Sequence, residues 1–208
     1  MNIAWRLIRS CKTELKVVAG VLSVLFLLPL FAVVVIANAG ISEVAHALAS
    51  FNPITHKVEV KDANGNIVTQ MDATTVWPVT GYVSEEFGVP HMPWQPYHTG
   101  IDIANEHRLI GDPVTVFMKG KVIDVIDSDK GFGKHVIVSH DFGITSLYGH
   151  MSALYAKKDQ EVKPGDIIGL EGSTGSSTGP HVHFEVRISD IPVNPHTFMV
   201  GKPQLGSL

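Results

Sequence analysis

The chain has 208 residues, a formal net charge of −4, 45% hydrophobic residues and one cysteine. That length suffices for one domain with its own core plus an accessory segment, and a single cysteine excludes a disulfide scaffold or a zinc site built on several cysteines. The charge is uneven: residues 1–39 carry Arg6, Arg9, Lys12 and Lys16 against Glu14 (net +3), and the remaining 12 basic and 19 acidic residues give net −7. An acidic body without a basic cluster argues against nucleic acid as a partner.

The first element in chain order is apolar. After a basic segment, residues 1–16, no charge occurs from Val17 to Ser42, and Val17–Ala37 is almost wholly Val, Leu, Ile, Phe and Ala. About 20 apolar residues cross a bilayer, so the run predicts a transmembrane helix over residues 17–39. The basic residues ahead of it place the N-terminus in the cytoplasm and the rest of the chain outside the cytoplasmic membrane. Ala37-Asn38-Ala39 offers a competing reading, a signal peptide cleaved near Ala39 with the body secreted. Secretory apolar regions span only about 7–15 residues, which favours the anchor.

Residues 40–76 read as a stalk: a short helix or linker to Asn52-Pro53, then a β-hairpin in which Lys57–Gln70 alternates around Asn64-Gly65. Thr75–Pro96 is proline-rich and reads as loop with a short strand. From Ile101 onward short β-branched runs separated by Gly, Asp and Pro predict strands near 114–117, 121–126, 135–139, 144–148, 166–170 and 181–187. Ser152–Lys158 alone suggests a helical turn. The expected fold is mainly β, an antiparallel, barrel- or sandwich-like domain over residues 77–200, followed by a tail at 201–208. Gly172-Ser-Thr-Gly-Ser-Ser-Thr-Gly lacks the Gly-Lys-Ser/Thr ending of a phosphate loop and reads as a groove wall or a solvated connector.

Eleven histidines are many for this length. Three segments stand out: His98-Thr-Gly-Ile-Asp102, Tyr148-Gly-His150 and His181-Val-His183. Two histidines and a carboxylate are a sufficient ligand set for a catalytic metal that keeps one position open. His181 and His183 on a strand leave the same face about 7 Å apart, so one would ligate while the other flanks the open position. His98 and Asp102 would lie roughly 13 Å apart in a flat strand and can share an ion only if the chain bends, which Gly100 permits. His140 reads as a strand-end residue with a local hydrogen bond. Glu85-Glu86 and Asp127/Asp129 read as solvated turns, and His46, His56, His91, His107, His135 and His196 have no partner spacing.

These segments carry a family resemblance. From about Trp77 to Phe198 the chain resembles the LytM/lysostaphin-type zinc endopeptidases, peptidase family M23. It does so through His98-Thr-Gly-Ile-Asp-Ile, Gly111-Asp-Pro-Val, Gly120-Lys-Val, Gly131-Phe-Gly, Leu147-Tyr-Gly-His-Met, Val162-Lys-Pro-Gly-Asp, Gly172-Ser-Thr-Gly and Gly179-Pro-His-Val-His-Phe-Glu-Val. The resemblance implies that His98, Asp102 and His183 bind one Zn2+, that His150 and His181 are the catalytic pair, and that the substrate is the peptide cross-link of bacterial peptidoglycan. Phe87-Gly88-Val89 departs from the pattern in lacking the Arg that often follows Phe-Gly. The expected function is a membrane-anchored, exported zinc endopeptidase. The alternatives are a non-catalytic peptidoglycan-binding activator, since some relatives have lost ligands, and a structural component of an envelope-spanning secretion, conjugation or phage machine.

Overall fold

Alternation along His181–Ile188 sets the frame. Val182, Phe184, Val186 and Ile188 occupy one face of a strand and His183, Glu185 and Arg187 the other, as a period of two requires. This strand lies inside the largest sheet of a computed structural model that describes residues 42–74, 76–89, 97–107 and 109–203, with Lys16 and Gly40. The apolar run 17–39 and the cleavage reading near Ala39 lie outside the described residues. Among the described residues no helix is long and apolar enough to cross a membrane.

The described residues from Ser42 onward form one compact unit. Its strands are β1 (Ala49–Asn52), β2 (Lys57–Lys61), β3 (Ile67–Asp72), β4 (Tyr82–Glu85), β5 (Ile101–Ala104), β6 (Pro113–Thr115), β7 (Gly120–Ile126), β8 (Lys134–Ser139), β9 (Ile144–Met151), β10 (Ala153–Leu154), β11 (Glu161–Val162), β12 (Ile167–Leu170), β13 (Val182–Ile188) and β14 (Ile191–Val193). The eight-stranded sheet runs β11-β7-β8-β9-β13-β5-β4, with β14 also paired to β13; two three-stranded sheets run β10-β12-β6 and β1-β2-β3. The pairings between these strands are antiparallel, as expected for the mainly β class. The large sheet ends at β11 and β4 and does not close on itself among the described residues.

All three sheets share one core. Val58 and Val60 of β2, Val114 of β6, Ile168 of β12 and Val136, Val138, Tyr148 and Phe184 of the large sheet are fully or almost fully buried in it. Phe117, Tyr148 and Phe184 are its aromatic centre, with Phe184 5.3 Å from each of the other two ring centroids. Burying such side chains stabilises the fold by roughly 1.5–3 kcal/mol each.

Three local expectations change. The hairpin is β2–β3, but its loop spans residues 62–66, organised by Asp62: its carboxylate accepts from the backbone of Asn64 and Asn66 and from the Asn66 side chain. An Asx-type carboxylate thus replaces the expected two-residue turn. Residues 42–48 are helical, yet 49–52 form β1, paired with β2 instead of acting as linker. Ser152–Lys158 contains no helix; Ala153–Leu154 is β10, because pairing with β12 overrides local preference.

Candidate metal centre

Register brings the site together. Across β5, β13 and β9, Asp102 pairs with His183 and His183 pairs with Gly149, one row of the sheet. His98 precedes β5, and the chain between must bend to return its ring to Asp102. Gly100 serves this by closeness: a Cβ there would lie 2.3 Å from the Phe184 carbonyl oxygen and 2.9 Å from Glu185 Cγ. Its missing side chain therefore admits β13, whereas the sequence had suggested a conformational need.

The result is a triangle of lone pairs. Asp102 Oδ1 lies 3.1 Å from His98 Nε2 and 2.8 Å from His183 Nδ1, and those two nitrogens are 3.0 Å apart. The opposite ring nitrogens are tied down: His98 Nδ1 donates to the Glu86 carbonyl (3.1 Å) and His183 Nε2 to Glu185 Oε1 (3.0 Å). In the neutral rings both inner nitrogens are then acceptors, facing a third acceptor, with all three residues buried. A tetrahedron with zinc–ligand distances near 2.0–2.1 Å has edges of about 3.3 Å, so the donor set fits a small divalent cation with a position left open. His98, Asp102 and His183 are the group among the described residues that could hold such an ion.

The electrostatics agree. Burial opposes ionising Asp102, but with a proton on the inner nitrogens, hydrogen bonds from His183 and His98 hold its carboxyl far below the usual carboxylate range. Burial likewise opposes charging His183, yet Asp102 and Glu185 push it up to about 9. The cluster therefore draws positive charge, whether a proton or a metal ion.

His150 and His181 face this triangle. Their ring centroids are 4.7 Å apart, and His150 is 5.9 Å from His183. Each anchors one nitrogen on a carbonyl: His150 Nδ1 on Thr174 (2.7 Å) and His181 Nδ1 on Gly179 (2.8 Å). His181 Nε2 lies 3.4 Å from Asp102 Oδ2. His150 has φ 59, a left-handed backbone that a non-glycine residue adopts only when its surroundings impose it. Its amide donates to Phe132 and its carbonyl accepts from Thr174, so two loops hold that conformation. Burial, with His181 adding to it, pushes His150 down to about 4.

Of the two strand histidines, His183 thus enters the triangle and His181 flanks it. A cleft of about 190 Å³ opens on the cluster, lined also by Gly131, Phe132, His150 and Ser176. A neighbouring hollow of about 350 Å³ runs past His181, with Thr178–Pro180, Tyr82, Ser84 and Ala104 along it. The Gly/Ser/Thr run is therefore groove wall at Ser176 and Thr178. No residue of 42–74 lines either space.

Several groups escaped the sequence reading. Glu185 is fully buried against His183, a position signalled only by the period-two alternation of β13. Glu86 is more than a solvated turn: its carbonyl holds His98 and its carboxylate pairs with His196 at 2.9 Å. His140 bonds across the fold, to the Lys119 carbonyl and Ser146 Oγ, both at 2.8 Å.

Residues 96–195 match the profile of peptidase family M23. The chain is 34% identical to a point mutant of the catalytic domain of EnpA, a prophage-encoded M23 protein from Enterococcus faecalis. That match covers 96% of the domain and 60% of this chain, with a TM-score of 0.53. The chain belongs to peptidase family M23. Within the family it is 36% identical over 149 residues to the DD-carboxypeptidase/endopeptidase Mpg of Neisseria meningitidis, covering 69% of this chain and 33% of Mpg. It is 32% identical over 127 residues to the murein hydrolase activator NlpD of Escherichia coli, covering 61% of this chain and 31% of NlpD. This M23 chain therefore spans about a third of the length of the curated relatives it matches.

Proposed function

We propose that the protein is a zinc endopeptidase that hydrolyses peptide cross-links of peptidoglycan, anchored by residues 17–39 with its catalytic domain outside the cytoplasm. The observation that carries the reading is the buried triangle of His98, Asp102 and His183 with His150 and His181 across the cleft. His98 Nε2, Asp102 Oδ1 and His183 Nδ1 would hold the ion, and the Asp102 carboxylate would reduce the charge of the centre from +2 to +1. Zinc supplies Lewis acidity there, polarising a carbonyl and making a water nucleophilic near neutral pH.

The chain's own residues do the rest. His150 and His181, with Nδ1 on carbonyls, present Nε2 to the cleft as hydrogen-bonding and proton-transferring groups. One orients the water and stabilises developing negative charge, and the other passes a proton to the leaving amine. Walls at Phe132 and Ser176 confine the peptide beside the triangle. The anchor rests on the uncharged run Val17–Ser42 and the basic residues before it.

Similarity to the activator NlpD favours a second reading, a domain that grips the wall without cutting it. Against it, all five positions carry ligand- or proton-handling side chains: His98, Asp102, His150 and His183 line one cleft, and His181, on the neighbouring hollow, comes within 3.4 Å of Asp102 Oδ2. The full chain, purified in detergent and incubated with sacculi, tests both readings by mass spectrometry of released fragments. The endopeptidase reading predicts newly freed amines, absent with His181→Ala; zinc bound with nothing released would select the binding module.

A further inference from the structure

The hydrolytic scheme leaves one buried charge unused. Glu185 lies two residues beyond His183 on the same face of β13 and is fully buried, whereas an ionised carboxylate is kept inside a protein only when fully partnered. Both its oxygens are engaged. Oε1 accepts from His183 Nε2 at 3.0 Å and from the Thr99 hydroxyl; Oε2 accepts from Arg187 Nε at 2.6 Å and from Arg187 Nη2.

Each contact bears on the triangle. A neutral imidazole carries its proton on either nitrogen, and the N–H donated to Glu185 leaves the Nδ1 lone pair aimed inward. Arg187 and Thr99 occupy both carboxylate oxygens, so the acceptor cannot swing away. Thr99 adjoins His98, so one carboxylate ties the segment bearing the first donor to the strand bearing the third. Phe132 stacks on the His183 ring at 5.3 Å and 24°, with the Arg187 guanidinium carbon 6.0 Å from the Phe132 centroid. His98 uses a backbone carbonyl for the same purpose, so the outer nitrogen of that ring, unlike that of His183, does not depend on a side chain.

We propose that Glu185, fixed by Arg187 and Thr99, is a positioning residue that orients His183 Nδ1 toward the three-donor centre and thereby sets the affinity of that centre for a divalent cation. The proposal rests on the zinc reading. A carboxylate behind a ligating histidine raises the basicity of the ligand and holds its ring, and loss of such a group weakens binding by about 10–100-fold.

The test is chelator competition for zinc on the full chain in detergent, wild type against Glu185→Gln, with the melting temperature of each metal-free protein. Glu185→Gln keeps size and removes charge. The proposal predicts a zinc dissociation constant raised about 10–100-fold. A purely structural Glu185 would lower the melting temperature and leave the dissociation constant unchanged, which overturns the proposal. Arg187→Gln, at a side chain only 26% exposed but outside the triangle, repeats the test if Glu185→Gln does not fold. It should weaken zinc at least about threefold, and unchanged affinity overturns the proposal. Wild type that takes up no zinc would fail the metal reading itself, whereas tight wild-type binding matched by both variants fails only the role of Glu185.

Discussion

Two buried polar clusters, one around the single histidine His140 and one around His98 and His183, lie against the same sheet and are built on opposite rules. In the first, His140 Nδ1 donates to the Lys119 carbonyl, Ser146 Oγ bridges His140 Nε2 (2.8 Å) and Tyr148 OH (3.1 Å), and the Phe117 amide donates to Tyr148 OH (3.1 Å). Donors and acceptors alternate, so the chain is closed and needs no further ligand. In the second, the outer nitrogens of His98 and His183 are used up and their inner lone pairs meet Asp102 Oδ1. Acceptors converge, and only a positive charge between them resolves the conflict. A buried histidine is structural when its two nitrogens find complementary partners, and marks a site when lone pairs point at one another.

The largest effect that would sharpen this contrast is on turnover. His181→Ala should reduce release of cross-link fragments by roughly 10²–10⁴-fold while zinc stays bound, since it removes a proton-handling group and no ligand. Loss of zinc in that variant would merge the two roles. Gly100→Ala should damage both clusters' surroundings: a Cβ 2.3 Å from the Phe184 carbonyl oxygen forces β5 from β13. A thermal melt should show a loss of about 1–3 kcal/mol, the range for overpacking, together with weakened zinc binding. An unchanged melt would show that the strands tolerate separation.

His140→Ala should act on stability alone. It leaves the Lys119 carbonyl without a donor and opens the Ser146–Tyr148 chain, for about 1–3 kcal/mol by denaturant titration. The smallest effects are in pH dependence, and they run in opposite directions. Burial pushes His140 down to about 4 from an ordinary 6.5, so the unfolded chain takes the proton first. Its contribution is therefore intact above about 6.5 and drains away as pH falls toward 4. Burial pushes Glu171 up to about 7 from 4.5, so its contribution is intact below about 4.5 and drains away as pH rises toward 7. Glu171→Gln should flatten the loss on the neutral side, and His140→Ala the loss on the acid side. Unfolding midpoints between pH 4 and 8 check both, and a variant curve parallel to wild type would contradict the assignment.

Much of the site was legible in the sequence, because the chemistry sits in short ordered motifs: His98–Asp102, His150 and His181–His183. The alternation of His181–Arg187 also points to β13, which carries His183 with His181 just ahead of it. What was not legible depends on pairing between distant segments. Spacing leaves His181 and His183 open and only the family resemblance names His183; the physical reason, its register opposite Asp102 and Gly149, is not encoded in spacing. Sequence shows Gly100 only as a possible bend; its closeness to Phe184 exists only once β5 meets β13. Strands of two residues, β10 and β11, are too short for any period to show, and β1 became a strand because β2 offered it a partner. His140 looked local because its partners, Lys119 and Ser146, are neighbours only across the fold.

The contrast between the two clusters comes down to one comparison of metal content. Wild type, His183→Ala and His140→Ala are to be purified under identical conditions and their zinc measured by atomic spectroscopy. Wild type should carry one zinc per chain, His183→Ala none and His140→Ala one. Zinc retained in His183→Ala, or lost in His140→Ala, would contradict the contrast.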